Sequence, residues 1–292
     1  MSAAQVNCAD VCVIVPFYAG DTHRTDNLLC VLKHYAPLPD VEILLVEQGS
    51  QPAALPALAH CVRRLFLNNP SASQPGGFNK SWGCNVAVRQ TTRAILVLMD
   101  ADMLVDLNAL TQAIKLTRTR TVATNPFERW LDLELPATQA IRQQGDTGLI
   151  DFKAVQGSTT RREREQLNFC GGAFLIRREI YLKLGGYDER YVGWGGEDNL
   201  MDVKLKRSGQ PLGQVKDSTA IHLWHPQSNA TTFEQPNYAC NLKMVQELMA
   251  CDPAQFKFMC ELQRQLGGHP RKYELALLDP LAGYLQPTGA AK

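Results

Sequence analysis

Three groups of residues in this 292-residue chain have types and spacings suited to chemistry. The stretch LVLMDADM sets Asp100 and Asp102 on either side of Ala101, at the end of an apolar run. If that run is a strand, its period of two sends both carboxylates to one side. Two hard oxygens there can hold a divalent cation that keeps other positions for water or phosphate. The competing role is plainer: a strand-end acid that caps the next helix, LNALTQAI. Far downstream, HLWHP supplies His222 and His225, and imidazole is a suitable further ligand for a Mn2+-like ion held by carboxylates. His225, next to Pro226, is the first choice, with a satisfied core histidine as the alternative. The third group is GWGGEDNL, where Glu197 and Asp198 follow Trp194 and three glycines at a helix start. Acids there complement the helix dipole and need no other role. A carboxylate in that place can also take a proton from an attacking hydroxyl.

Such scattered residues need a scaffold that delivers them to one place. VCVIVP (11–16), VEILLVE (41–47), RLFLN (64–68) and AILVLM (94–99) are continuous apolar runs, as strands buried on both faces should be. Between them TDNLLCVLKHY, LPALAHCV and NKSWGCNVAVRQ carry helical spacing. The alternation predicts an α/β fold, with a mostly parallel central sheet and helices on both faces. Ligands of such sheets bind beyond the carboxyl ends of the strands. At those ends stand FYAGD, QGS, NNPSASQPGG and DAD, all small and polar. NFCGGAFLIRRE (168–179) reads as a strand turning into a helix, AIHLWHP (220–226) as a strand ending at Pro226, and 237–267 as two helices around CDP. Residues 1–230 form the expected core domain, and 231–292 a C-terminal helical extension. The polar stretch GSTTRREREQ (157–166) is a candidate flap, and residues 145–166 are expected to order when a ligand binds.

Composition removes several classes. Thirty basic and 29 acidic residues leave a formal charge of +1, so no overall field recruits nucleic acid or an anionic membrane. Nine cysteines without a C-x-x-C pair, mostly inside apolar runs, argue for free thiols in a reducing compartment rather than a zinc site or disulfide frame. The N-terminus lacks the features of a secretion signal, and no apolar run nears the roughly 18 residues of a membrane span. Cytoplasmic residence is the expectation. A P-loop is absent, which excludes P-loop kinases.

Taken in order, VIVPFY, Glu47 after the second run, NKSWGCN, DAD, CGGAFLIRRE, GWGGED and HLWHP resemble nucleotide-sugar glycosyltransferases of the GT-A fold. The front half is similar to family 2 members. Residues 168–225 are similar to the C-terminal half of the galactosyltransferase and chondroitin-polymerase type, so the likeness spans about residues 10–226. It implies a Rossmann-like GT-A sheet and metal-dependent transfer of a sugar from a nucleotide diphosphate, UDP by analogy, to an acceptor hydroxyl. Mn2+ or Mg2+ is the implied cofactor. A polysaccharide, a small metabolite or a lipid-linked glycan at a membrane surface all fit as acceptor.

The same resemblance distributes roles residue by residue. Asp100 and Asp102, with Ala101 between them, fall at the metal bridging the donor diphosphate. His225 completes that site, with His222 where the galactosyltransferase type has Met. Asp198 falls on the general base, Glu197 on sugar hydroxyls, and Trp194, Gly195 and Gly196 on the sugar itself. Pro16, Tyr18 and Glu47 lie in the nucleoside region, and Lys80 and Asn85 on the helix facing the diphosphate or base. Gly171 and Gly172 fall beside the donor sugar, or else form a strand bulge. Retaining polypeptide GalNAc-transferases commonly carry Asn after a similar WGGE, so Asp198 favours inversion. Two rival readings are a carbohydrate-binding protein of the same fold without turnover and a nucleotidyltransferase. FYAGDTHR is a poor version of the Gly-rich basic loop that a nucleotidyltransferase needs.

Overall fold

The computed structural model describes residues 6–144, 147–152, 154–155, 160–165, 169–226, 234 and 237–274. Its strands are β1 (Val11–Phe17), β2 (Glu42–Gly49), β3 (Val62–Asn68), β4 (Ile95–Met99), β5 (Met103–Val105), β6 (Ala123–Asn125), β7 (Arg129–Leu133), β8 (Thr160–Glu165), β9 (Ala173–Arg177), β10 (Leu212–Gln214) and β11 (Thr219–His222). Its helices are α1 (Thr22–Tyr35), α2 (Lys80–Gln90), α3 (Leu107–Thr119), α4 (Leu135–Gln143), α5 (Arg178–Lys183), α6 (Glu197–Arg207), α7 (Tyr238–Ala250) and α8 (Pro253–Leu266). Seven strands form the central sheet in the order β10-β6-β9-β4-β1-β2-β3. Pairing is parallel except at β9, which runs antiparallel between β4 and β6.

Strand alternation decides how the layers form. Val11, Val13, Val15 and Phe17 of β1 enter one core with Leu28 and Val31 of α1 and Leu110 and Ile114 of α3. Cys12 and Ile14 enter the other, with Trp82 and Val86 of α2, Tyr181 of α5 and Met201 and Leu205 of α6. Both faces of β1 are therefore covered, which is why its sequence is a continuous apolar run. Each fully buried side chain of this kind contributes about 1.5–3 kcal/mol of transfer free energy. The sequence expectation of an α/β fold with helices on both faces is met.

A second sheet is ordered β5-β11-β7-β8, and its β5 follows the carboxyl end of β4 after three residues. β11 pairs parallel with β7 so that His222 lies opposite Asp132, and antiparallel with β5. The candidate flap differs from expectation within the described residues: 160–165 is β8, paired antiparallel to β7. Residues 145–146, 153, 156–159 and 166 of that region lie outside the described residues.

LPALAHCV also departs from its helical spacing, because residues 52–59 carry no regular structure and Val62 opens β3. Pro52 and Pro56 disfavour the helical region for the residues that precede them. The N–H of Ala53 donates to Glu47 at 2.6 Å and its carbonyl accepts from Arg64 at 2.7 Å, so tertiary bonds fix this segment in a non-helical path.

At the C-terminus, Asp252 caps α8 in a reciprocal box with Gln255. Leu200 of α6 packs with Val245 and Leu248 of α7. The indole of Trp82 donates to the His269 carbonyl at 2.8 Å, and Lys272 pairs with Glu189 at 3.1 Å. All nine cysteines are free thiols, most of them buried. Among the described residues no helix is long and apolar enough to cross a membrane.

Candidate active site

Asp100 and Asp102 lie just beyond β4, but not on an extended strand. The N–H of Met103 donates to the Asp100 carbonyl at 3.2 Å, closing a turn around half-buried Ala101. A turn breaks the period of two, so the carboxylates separate. Asp100 goes to Lys80, its Oδ1 lying 2.8 Å from Nζ. Asp102 goes to the histidines, with Oδ1 3.5 Å from His222 Nε2 and Oδ2 3.3 Å from His225 Nε2. Asp102, His222 and His225 each present a ligand atom within 4.8 Å of the others. Asp100, which the sequence places in the same ligand set, is not in this group.

The two imidazoles are oriented from behind. His222 Nδ1–H donates to Asp132 at 2.9 Å, and the same carboxylate oxygen accepts the Trp130 indole N–H at 2.8 Å. Asp132 is 1% exposed, so water screens this contact little. A carboxylate on one imidazole nitrogen fixes the tautomer and turns the other nitrogen outward as a ligand. His225 Nδ1 lies 2.9 Å from the Pro226 carbonyl and 3.2 Å from an Arg24 guanidinium nitrogen. Donation to Pro226 leaves Nε2 free to face Asp102. Burial opposes the charge on His222, but Asp102 and Asp132 outweigh it and raise the pKa to about 9. Burial lowers that of His225. Asp102 resists burial as well, because His222, His225 and Arg24 hold its carboxyl below the usual range.

The third cluster forms around Lys80 at the start of α2, where Asn79 caps the helix by accepting from Trp82 N–H at 2.8 Å. Lys80 Nζ lies 2.8 Å from Asp100, 3.1 Å from Asp198 and 3.8 Å from Glu197. Burial opposes its charge, yet Asp100, Asp198 and Glu197 raise its pKa well above the ordinary lysine range. Tyr187, itself buried, donates its hydroxyl to Asp198 at 2.8 Å. Burial and the charge of Asp198 push Glu197 up to about 7 against the pull of Lys80. Glu197 Oε2 is buried and has no hydrogen-bond partner among the described residues. An unsatisfied buried carboxylate oxygen is costly unless a ligand meets it. The Asp100–Asp102 turn thus joins the histidine cluster to the acid pair in one continuous run of contacts.

Backbone geometry sets where α6 starts. Gly196, with φ of 96°, is the N-cap and gives no side-chain cap, so Glu197 and Asp198 occupy the first turn. Trp194 is 56% exposed and stacks on Tyr238 with ring centroids 5.5 Å apart. Gly195 lies against that same tyrosine. Half-buried Gly171 precedes Gly172, which has φ of 73°; a Cβ on Gly172 would lie 2.3 Å from the Trp130 ring. The carbonyl of Gly172 accepts from Asp100 N–H at 2.8 Å, so this glycine seats both the turn and the tryptophan that holds Asp132.

Other residues singled out in the sequence are engaged elsewhere. Glu47 is buried, and its carboxylate is taken by Arg64 at 2.6 Å and by Ala53 N–H. The amide of Asn85 donates to Tyr187 O at 2.8 Å and Glu189 at 2.9 Å and accepts from the Tyr181 hydroxyl at 2.7 Å. In both, the polar atoms that the sequence reading offers to a nucleotide are bonded to the protein itself. Pro16 is buried within β1 opposite Val46, and Tyr18 is half-buried in the loop that follows. Asp132, Tyr187 and Arg24 were not legible as site residues. A buried acid inside the apolar RWLDL was the available signal for the first.

Comparison with known proteins fits this geometry into a family. Over 114 residues the chain is 28% identical to the validoxylamine A glucosyltransferase of Streptomyces hygroscopicus subsp. jinggangensis, covering 37% of this chain and 27% of that one. Over 150 residues it is 25% identical to N-acetylgalactosaminyltransferase 7 of Drosophila melanogaster, covering 46% and 25%. The chain therefore spans about a quarter of the length of these relatives. A solved Drosophila β-1,4-galactosyltransferase 7 mutant, in complex with manganese, UDP-Gal and xylobiose, is similar with a TM-score of 0.47 and 16% identity, covering 81% of this chain and 79% of that one. The family model described as "Glycosyltransferase like family 2" matches residues 12–242, and the chain belongs to that family.

Proposed function

We propose that the protein transfers a sugar from a nucleotide diphosphate, UDP-linked by analogy with its neighbours, to an acceptor hydroxyl with inversion at the sugar carbon. The observation that carries this reading is the continuity of the Asp102–His222–His225 cluster with Lys80, Asp100, Glu197 and Asp198. The donor set fits a divalent cation: one carboxylate and two imidazoles, one of them oriented by Asp132. Two nitrogens in the set favour Mn2+ over Mg2+, which prefers oxygen. A cation held there neutralises charge developing on the diphosphate as it leaves.

The remaining steps belong to the chain's own residues. Lys80 lies between Asp100 and the acid pair, where its ammonium can also meet a phosphate oxygen. Trp194 offers an apolar ring face to a sugar, and Glu197 Oε2 awaits a hydroxyl. Asp198, oriented by Tyr187 and Lys80, takes the proton of the acceptor hydroxyl. The acceptor oxygen bonds the sugar carbon while the bond to the diphosphate breaks, its electron pair leaving with the phosphate. One base and one displacement give inversion.

Turnover of a panel of nucleotide sugars with Mn2+ tests the reaction. Asp198→Asn keeps the shape but cannot accept the proton, so kcat should fall by about 10²–10⁴ while donor affinity holds. A near-normal kcat would return Asp198 to a helix-capping role.

A further inference from the structure

A cleft of about 740 Å3 opens where β4 begins and β9 ends. Ile95 and Arg177 are partners at that end of the pairing, and Met99 and Ala173 at the end next to Asp100. Five strand residues at about 3.3 Å each set the cleft well away from the Asp102 cluster. Its cationic lining is Arg93, Arg118, Arg177, Arg178, Lys183 and Arg264, against Asp10, Glu179 and Glu261.

Two of the three acids are already taken. Asp10 holds Arg118, and Glu261 holds Arg264 at 2.6 Å. Arg93 pairs with Glu42, outside the cleft, at 3.7 Å. That leaves Arg177, Arg178 and Lys183 against Glu179 alone. Both arginines are anchored through Nε: Arg177 to the Thr117 carbonyl at 2.9 Å and Arg178 to the Val88 carbonyl at 3.1 Å. Anchoring on two different helices, α3 and α2, fixes the guanidinium planes while further N–H groups stay available. Pre-organised arginine forks suit phosphate oxygens, and the volume lies in the range of small-molecule sites, about 300–1,000 Å3.

We propose that this cleft is a second anion site, which binds a diphosphate group carried by a soluble nucleotide or by a lipid headgroup. It stands independently of the catalytic reading, since none of its residues belongs to that site. Calorimetric titration of the whole chain with inorganic pyrophosphate in EDTA, which removes metal-dependent binding at Asp102, tests it. Lys183→Glu changes an exposed residue and keeps the fold, and should weaken binding at least about tenfold. Arg178→Gln should weaken it as well, with Mn2+ binding at Asp102, His222 and His225 unchanged in both variants. Cosedimentation with phosphatidylcholine vesicles, with and without a polyprenyl diphosphate, separates the sources. Sedimentation that Lys183→Glu abolishes supports a lipid headgroup, and pyrophosphate binding alone supports a soluble one. No pyrophosphate binding, or equal binding in wild type and both variants, overturns the proposal.

Discussion

Asp132→Asn isolates the part of the metal site that no motif announces. The substitution keeps the shape and an oxygen for the Trp130 indole, and it removes the charge 2.9 Å from His222 Nδ1. Two effects follow, with opposite signs. Loss of a carboxylate behind a ligating histidine typically costs 10–100-fold in metal affinity, about 1.4–2.7 kcal/mol. It also lowers the His222 pKa from about 9, which removes proton competition. With a pKa of about 9, the proton costs the wild type about two decades of apparent affinity at pH 7 but only about half a decade at pH 8.5. Wild-type Mn2+ affinity should therefore rise by about one and a half decades between those pH values, with proton release on binding. Asp102 still raises the His222 pKa in the variant, so its deficit should be smaller at pH 7 than at pH 8.5, where it approaches the full 10–100-fold. Calorimetry at both pH values, in two buffers of different ionisation enthalpy, reads affinity and protons together. Variant and wild type binding within about twofold at pH 8.5 would refute the claim that Asp132 supports a ligand.

Two further substitutions test the scaffold. Lys80→Met strands Asp100, Glu197 and Asp198 without their cation, and breaking such a buried cluster costs about 3–5 kcal/mol. The folded-state pKa values of Asp100 and Glu197, already raised by burial, lose the pull of Lys80 and rise further above the unfolded ones, so stability is kept at low pH and lost as pH rises; urea midpoints should show a larger deficit at pH 8 than at pH 5. Gly172→Ala puts a Cβ 2.3 Å from the Trp130 ring at a φ of 73°, and strain plus overpacking should cost about 2–5 kcal/mol. Urea denaturation reads that loss, and a displaced indole should weaken Mn2+ binding as well.

The fold was legible wherever burial on both faces left a continuous apolar run, as in β1 and β4. Helix α2 was legible because NKSWGCN carries both its cap and its apolar side. LPALAHCV was misread because tertiary bonds at Ala53, not periodicity, decide its path. At the site, motifs located Asp102, His222, His225, Glu197 and Asp198, since each sits at the end of a recognisable element. The split of Asp100 from Asp102 was hidden, because a one-residue change from strand to turn redirects a side chain without changing composition. Asp132 escaped for a different reason: its partnership with His222 exists only through the β7–β11 register. The partners of Asn85 and Glu47 were equally hidden, since the protein groups that meet them come from elsewhere in the sequence.

Charge explains why donor binding should wait for the cation. Four carboxylates, Asp100, Asp102, Glu197 and Asp198, stand along one run of contacts, answered by Lys80, by Arg24 near Asp102 and by His222 when protonated. A diphosphate brought into that company meets like charge within a few ångströms, a repulsion of about 4 kcal/mol per close pair at an effective dielectric near 20. A divalent ion that displaces the His222 proton adds one net positive charge beside Asp102 and turns the same position attractive. In Lys183→Glu, where the second cleft is weakened, UDP should therefore bind at least about a hundredfold more weakly in EDTA than in saturating Mn2+, a difference of about 2.7 kcal/mol that calorimetry resolves. Asp102→Ala should abolish that difference while leaving the pyrophosphate cleft untouched. Equal UDP affinity with and without metal would mean that Lys80 and the backbone alone hold the donor, and the histidines would then need another role.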